Sequence, residues 1–298
     1  MSDQIGAYIE KASAGKFADL ARLLTLLEQK GASALENDLL LHPPQSALRV
    51  GITGPPGAGK STLVGQLISS WRKAGARVGV LAVDPSSPFS GGAILGDRIR
   101  YSEHFADPGV FIRSLGSRGS LGGLSASAYL MLRAFDLWKF DVVLIETVGV
   151  GQTETDILHV ADLVTLVLVP ESGDSVQAMK AGLMEIADLF VVNKADRPGA
   201  DSLAREIEFY FPADANQKVT ERIFKTTATE GVGVEELAQA IRARGEDLDL
   251  PNHRQDPLRL RHEAFALLRG QWEKAFRKKA DRIKSPEDLR QLLIENQL

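Results

Sequence analysis

The chain has no cysteine among its 298 residues. That removes disulfides, thiol nucleophiles and zinc–thiolate sites together, and it suits a reducing compartment. The histidines (His42, His104, His159, His253 and His262) are scattered, without the paired helical spacing of a two-histidine metal motif, so a transition-metal site is not expected. Basic charge is not in excess either. Against 39 Asp and Glu stand 35 Lys and Arg, a formal −4; neutralising a nucleic-acid backbone needs a cationic face, so nucleic acid is not the expected partner. Long apolar runs are missing as well: no stretch reaches the roughly 20 residues of a membrane span. The opening Met1-Ser2-Asp3-Gln4-Ile5-Gly6 lacks a charged region leading into an apolar one. The expectation is a cytoplasmic protein with no membrane contact, and 44% apolar residues are enough to fill a large core.

From Ile5 to about Leu41 apolar residues recur at helical spacing (Phe17, Leu20, Leu23, Leu24, Leu27), with Gly31 as a stop and His42-Pro43-Pro44 as a break. Short β-branched runs then alternate with amphipathic stretches, the pattern of repeated βαβ units on a parallel sheet. The strands are expected at 48–53, 78–83, 110–113, 142–146, 163–169, 189–193 and 222–226. Several are apolar throughout, as in a sheet covered on both faces. After Pro251 the pattern is helical again over 258–276 and 285–293, the latter opening on Ser285-Pro286-Glu287-Asp288. This predicts an α/β protein with a mostly parallel sheet covered by helices. An N-terminal helical extension (1–44) precedes a nucleotide-binding domain (45–250), and a C-terminal helical extension (251–298) follows it.

What gives that domain chemistry is Gly54-Pro55-Pro56-Gly57-Ala58-Gly59-Lys60-Ser61, which fits G-x-x-x-x-G-K-[ST] between a strand and a helix. This is a P-loop. Glycines let backbone N–H groups close around a polyphosphate, Lys60 offers a point charge to the outer phosphates, and the Ser61 hydroxyl reaches Mg²⁺. The helix start behind it, through Thr62, adds a favourable dipole. Downstream, the strand 189–193 runs into Asn193-Lys194-Ala195-Asp196, a match to N-K-x-D. There the Asp196 carboxylate accepts the N1–H and 2-amino hydrogens of guanine while the Lys194 stem lies along the base. Adenine would leave that carboxylate, expected to be buried, without partners. Thr226-Thr227-Ala228 either gives a backbone N–H of Thr227 or Ala228 to guanine O6 or is a plain strand-end turn.

Three acids compete for a metal. Glu146, in Glu146-Thr147-Val148-Gly149, can hold Mg²⁺ through water while the Gly149 N–H contacts the γ-phosphate; its alternative is a helix N-cap carboxylate. Asp84 ends the second strand opposite the P-loop, and Asp97 follows a glycine loop; either can instead be a turn or cap residue. In small signalling GTPases a glutamine follows the glycine of the acidic-x-x-Gly segment and orients the attacking water. Here that position is Val150, with Gln152 two further on. Intrinsic hydrolysis is expected to be slow, with Gln152 or a partner completing the site. Arg118 is either an arginine finger in cis or a solvated arginine.

The segments 83–98, 118–124, 146–152 and 182–188, together with the P-loop, resemble the methylmalonyl-CoA mutase-associated GTPases (MeaB or ArgK-like, related to the methylmalonic aciduria type A protein), over about residues 48 to 235. The resemblance implies a P-loop NTPase fold, GTP, GDP and Mg²⁺ as ligands, and a GTPase chaperone. Such a chaperone docks on an adenosylcobalamin-dependent acyl-CoA mutase and gates cofactor loading, protection or reactivation. It also implies a further switch at 171–180, with Gln177 and Lys180 relaying nucleotide state, and a homodimer whose arm is made by terminal helices. The alternatives are a nickel-delivery GTPase of hydrogenase or urease maturation, disfavoured by the lack of cysteine and of clustered histidine, a small-molecule kinase, disfavoured by Asp196, and a module whose nucleotide is structural.

Overall fold

The computed structural model describes residues 3–30, 39, 47–84, 101–116, 124–147, 156–170, 182–210, 222–280 and 283–295. All seven expected strands are present: β1 Leu48–Thr53, β2 Val78–Asp84, β3 Val110–Gly116, β4 Val142–Thr147, β5 Leu163–Leu168, β6 Leu189–Asn193 and β7 Ile223–Thr226. They form one parallel sheet in the order β3-β2-β4-β1-β5-β6-β7, so every strand ends at the same edge. β3 runs three residues past Arg113 because its register with β2 continues through Ser114↔Ala82 and Leu115↔Val83 to Gly116↔Asp84. Pairing to a neighbour, which no local pattern encodes, sets that boundary.

Side chains alternate between two layers along each strand. In β2, Leu81 and Val83 join one core, whereas Val80 and Ala82 join the other. The first layer contains α1 (Asp3–Glu10), α2 (Phe17–Lys30) and α4 (Ala126–Leu137); the second is built on α3 (Lys60–Lys73) and α6 (Val234–Glu246). A third cluster packs α5 (Ala200–Tyr210) under β5 and β6. The N-terminal helical stretch is not continuous. A 3₁₀ turn (Lys11–Ala14) ends at Gly15 with φ 65°, a left-handed value that closes one helix and lets the next start in a new direction. In α2 the fully buried Leu20, Leu23, Leu24 and Leu27 lie on one face, and α2 packs against α4. Phe17 stacks on Phe140 at 5.6 Å and tilts against Phe111 at 5.3 Å, adding aromatic contacts between α2 and the sheet.

Beyond the sheet, α7 (Leu250–Arg254) leads into the long α8 (Pro257–Ala280), and α9 (Pro286–Glu295) follows. The start of α9 is the expected one, with the Asp288 N–H donating to Ser285 Oγ at 3.1 Å. Ala266 and Leu267 bury one side of α8 in the first layer, and Arg133 on α4 forks onto Glu263 at 3.0 and 2.7 Å. No helix among the described residues is long and apolar enough to cross a membrane.

At the amino end of β1 two arginines and two aspartates are buried together. Arg254 donates from Nε to Asp162 Oδ1 at 2.9 Å, from Nη2 to Asp162 Oδ2 at 2.5 Å and from Nη1 to Asp136 Oδ1 at 3.2 Å, and it also reaches the Ala47 carbonyl. Arg49 bonds Asp136 through Nη2 at 2.5 Å, and its backbone N–H bonds Asp162 Oδ2 at 2.8 Å. Burial alone would depress the Arg254 guanidinium, but its hydrogen bond to Asp162 and the charges of Asp162 and Asp136 hold it above the usual arginine value. The network ties α7, α4 and β1 together.

Candidate functional site

The P-loop leaves the carboxyl end of β1, where ligands of open α/β sheets collect. Two glycines are required by geometry. Gly54 has φ 140°, and a Cβ there would strike the Val167 carbonyl; Gly59 has φ 88°, and a Cβ would strike the Asn193 amide. Gly59 is the N-cap of α3 and carries no capping side chain, so no side chain of the cap residue competes with an anion at the start of the helix. Lys60 is buried, with Nζ donating to the carbonyls of Gly54 (2.6 Å) and Pro55 (3.0 Å). Those carbonyls are neutral dipoles, and phosphate oxygens would be the stronger partners for an ammonium.

Glu146 lies within β4, not at a helix end, which sets aside its reading as a cap. It is 5% exposed and accepts a bond from Ser61 Oγ at 2.6 Å. Sequence reasoning missed its other partner, Tyr101, whose fully buried hydroxyl donates to Glu146 Oε2. A tyrosine beside a glycine-rich segment has no motif to announce it. The 3₁₀ turn Ser102–His104 holds Tyr101 there, because His104 Nε2 lies 3.0 Å from the Gly65 carbonyl on α3. The same turn brings Glu103 to a cleft of about 540 Å³ lined also by Pro56, Lys60, Ser61, Gln66 and Glu146. Glu103 and Gln66 were likewise without a sequence signal. Asp84 is the last residue of β2 and pairs with Gly116, at the edge where the P-loop begins. Asp97, Gly149 and Gln152 lie outside the described residues, as do Arg118, Val150, Gln177 and Lys180.

On the other flank, Asn193 ends β6 and joins three loops. Its Nδ2 donates to the Ala58 carbonyl at 2.8 Å; its Oδ1 accepts from Thr226 Oγ1 at 3.0 Å and from the Ala228 N–H at 3.1 Å. The Thr227 N–H bonds the Val232 carbonyl at 3.0 Å, so in this structure both N–H groups considered for guanine O6 are committed within the protein. Lys194 adopts a left-handed φ of 57°, uncommon for a side chain of its size, and reaches the Gly57 carbonyl at 2.8 Å. That turn points Asp196 outward. Asp196 is exposed rather than buried, and among the described residues it accepts only a 3.5 Å contact from Thr227 Oγ1. A base stacked on Lys194 would itself be the cover that the carboxylate lacks.

The arrangement can hold a polyphosphate on the loop, a hard cation between Ser61 and Glu146, and a planar base beside Lys194 and Asp196. Known proteins agree with it. The family described as methylmalonyl-CoA mutase-associated GTPase MeaB matches residues 20–280. A Pyrococcus abyssi protein described as a GTPase is 47% identical over 264 residues, covering 87% of this chain and 82% of that protein. The Escherichia coli GTPase ArgK is 37% identical over 243 residues, 78% of this chain and 73% of ArgK. Among solved structures, one described as an LAO/AO transport system kinase superposes with a TM-score of 0.65 at 26% identity, over 99% of this chain and 98% of that one. Agreement over this length exceeds anything a shared P-loop can produce, and the chain belongs to the MeaB family of methylmalonyl-CoA mutase-associated GTPases.

Proposed function

We propose that the protein binds and hydrolyses GTP with Mg²⁺, slowly on its own, and that it acts as a chaperone on an adenosylcobalamin-dependent acyl-CoA mutase, gating cofactor loading, protection or reactivation. The observation that carries the GTPase part is the pairing of Ser61 with Glu146 beside the P-loop, with Asp196 presented outward from the Asn193 hub. An oxygen-only pair of a hydroxyl and a buried carboxylate fits Mg²⁺ by donor chemistry. Ser61 and Glu146 would hold the ion, with Asp97 as the further acid; bound there, the metal would neutralise charge on the transferring phosphoryl group. Lys60 and the first-turn N–H groups of α3 orient the phosphates. Asn193 locks the base loop to the P-loop, and Asp196 selects guanine over adenine. Gly149 and Gln152 are proposed to sense the γ-phosphate and to take part in positioning water, and Gln177 and Lys180 to relay nucleotide state. Because Val150 stands where a signalling GTPase has its glutamine, a partner is expected to complete the site.

The family resemblance supports the mutase as that partner, and α8 supports a homodimer, whose place of action is proposed to be the cytoplasm. Its Leu258, Phe265, Leu268 and Trp272 are 59%, 65%, 65% and 50% exposed, at spacings of seven, three and four that align them on one face. Trp272 and Phe276 stack at 5.3 Å on the same side. Such a stripe on a helix anchored by its opposite face matches a self-complementary arm. Leu268→Asp should therefore give a monomer in sedimentation velocity, with little loss of stability because the site is open; a mass unchanged from the wild type would exclude this face.

A second reading, phosphoryl transfer to a small amine, is favoured by one observation, the kinase description of the solved neighbour. The deciding experiment is GTP turnover with and without a purified adenosylcobalamin-dependent mutase from the same source, with ATP as control. A GTP-selective acceleration of about ten-fold or more is expected, within what a partner-completed site can supply. ATP turning over as fast as GTP would reject the guanine site, and normal GTP binding with no acceleration would reject the mutase as partner.

A further inference from the structure

Away from the nucleotide cleft, the described residues enclose a cavity of about 30 Å³ between the amino end of β1, α4, the 3₁₀ turn Ile157–His159, α7 and α8. Arg49, Arg133, Arg254 and Arg259 line it together, beside Tyr129, His159 and Glu263. Their partners can be followed one by one. Arg254 is saturated by Asp162, Asp136 and Ala47, and Arg133 is forked onto Glu263. Arg49 shares Asp136 through Nη2, but its Nε is buried with no hydrogen-bond partner, although the residue is only 9% exposed. Arg259 gives Nη1 to the Ala161 carbonyl at 2.8 Å, a dipole and not a charge. Of the further acids, Asp156 accepts from the Leu124 N–H at 2.8 Å, and Asp256 accepts from the Leu258 and Arg259 backbone N–H groups at 2.8 and 3.3 Å.

Four guanidiniums thus line the space, with Asp136, Asp162 and Glu263 bonded to three of them and Asp256 acting on the fourth, Arg259, through its charge. Arginine cannot shed its proton to escape burial, so the positive charge gathered on the cavity wall favours an anion within it. Its effect is felt within the cluster. Burial first, and then the neighbouring Arg254, oppose the attraction of the aspartates and hold Arg49 below the usual arginine range; burial and the charges of Arg49 and Arg254 do the same to Arg259. The space accepts one or two water molecules or one monatomic anion, and it is too small for a phosphate or a metabolite carboxylate.

We propose that this cavity is a halide site, occupied by chloride in solution, and that the ion fastens α8 to the sheet. The Arg49 Nε–H supplies a donor that no protein acceptor takes up, and the Arg259 guanidinium, bonded through Nη1 to the Ala161 carbonyl, supplies the charge beside it. The ion joins the start of β1 to the helix proposed as the dimer arm, at the opposite edge of the sheet from the P-loop. Its effect is accordingly on stability and on the seating of the arm, and not on nucleotide affinity.

The test is thermal unfolding of the full chain in sodium chloride and in sodium gluconate at matched ionic strength, together with a crystal grown in bromide and measured at the bromine absorption edge. Chloride should raise the unfolding midpoint by several degrees and saturate, since a ligand bound only by the folded state stabilises by mass action. An anomalous peak should appear between Arg49 and Arg259. Arg259→Gln should lose the chloride-dependent rise while its GTP affinity stays that of the wild type. Equal midpoints in the two salts, or cavity density without an anomalous signal, would mean water there and overturn the proposal. Should Arg259→Gln fold poorly, the two measurements on the wild type decide alone.

Discussion

Asp196→Asn is expected to turn a GTP-binding protein into one that prefers xanthosine triphosphate. The carboxylate can only accept hydrogen bonds, and guanine offers it two donors, N1–H and the 2-amino group. An amide placed there presents a donor towards the 2-amino group, a clash that becomes a match when xanthine brings a carbonyl to the same position. Because Asp196 is exposed and loosely held at 3.5 Å by Thr227, the exchange leaves the fold alone. The loss therefore reads out in recognition. Sites built to hydrogen-bond a ligand discriminate by roughly 10⁴-fold when buried; at this more open edge a change of about 10²-fold or more in the GTP to xanthosine triphosphate affinity ratio is expected. Competition binding with GTP, xanthosine triphosphate and ATP measures it, and an unaltered GTP affinity would remove Asp196 from the base site.

The largest effect on stability should come from Arg254→Met. Asp162 and Asp136 are 5% and 2% exposed, and Arg254 supplies both of Asp162's side-chain ion contacts and one of Asp136's. Methionine fills much of the volume but takes away the guanidinium that bonds both carboxylates, leaving them the Arg49 bonds, and breaking a buried pair from one side typically costs about 3–5 kcal/mol. For a chain of this size that corresponds to roughly 5–15 °C in unfolding midpoint. Chemical denaturation measures it. Adding Asp162→Asn should recover part of the loss, because the second substitution removes the charge that the first stranded. A single-variant cost below about 1 kcal/mol would mean that the aspartates draw their compensation from elsewhere.

The nucleotide elements were legible because their chemistry is local. The P-loop and Asn193-Lys194-Ala195-Asp196 each need a few residue types at fixed spacing, and strands covered on both faces appear as unbroken apolar runs. β1 and β6 were found with the boundaries that were expected. Other features depend on partners remote in sequence. The last three residues of β3 exist by pairing with β2, and the split between α1 and α2 turns on the left-handed Gly15 inside an otherwise helical pattern. Arg49, Asp136, Asp162 and Arg254 span 205 positions and meet only once the sheet is assembled. Tyr101 looks like any buried aromatic until Glu146 is placed beside it. Asp196 was expected to be buried, but the left-handed Lys194 turns it outward instead.

The contact between α2 and α4 bears on how the chain is made. Leu20, Leu23, Leu24 and Leu27 leave the ribosome early, yet the helix that covers them spans Ala126–Leu137. At about 5–20 residues per second, roughly 100 residues of further synthesis keep that leucine stripe without its native cover for about 5–20 s. The central strand β1 waits as well, since its neighbours β4 and β5 come from beyond residue 141. A half-made chain thus presents a sticky helix and an unpaired strand together, a situation that favours aggregation or capture by a general folding chaperone. The protein proposed here as a guardian of another enzyme is itself, while being born, a demanding client.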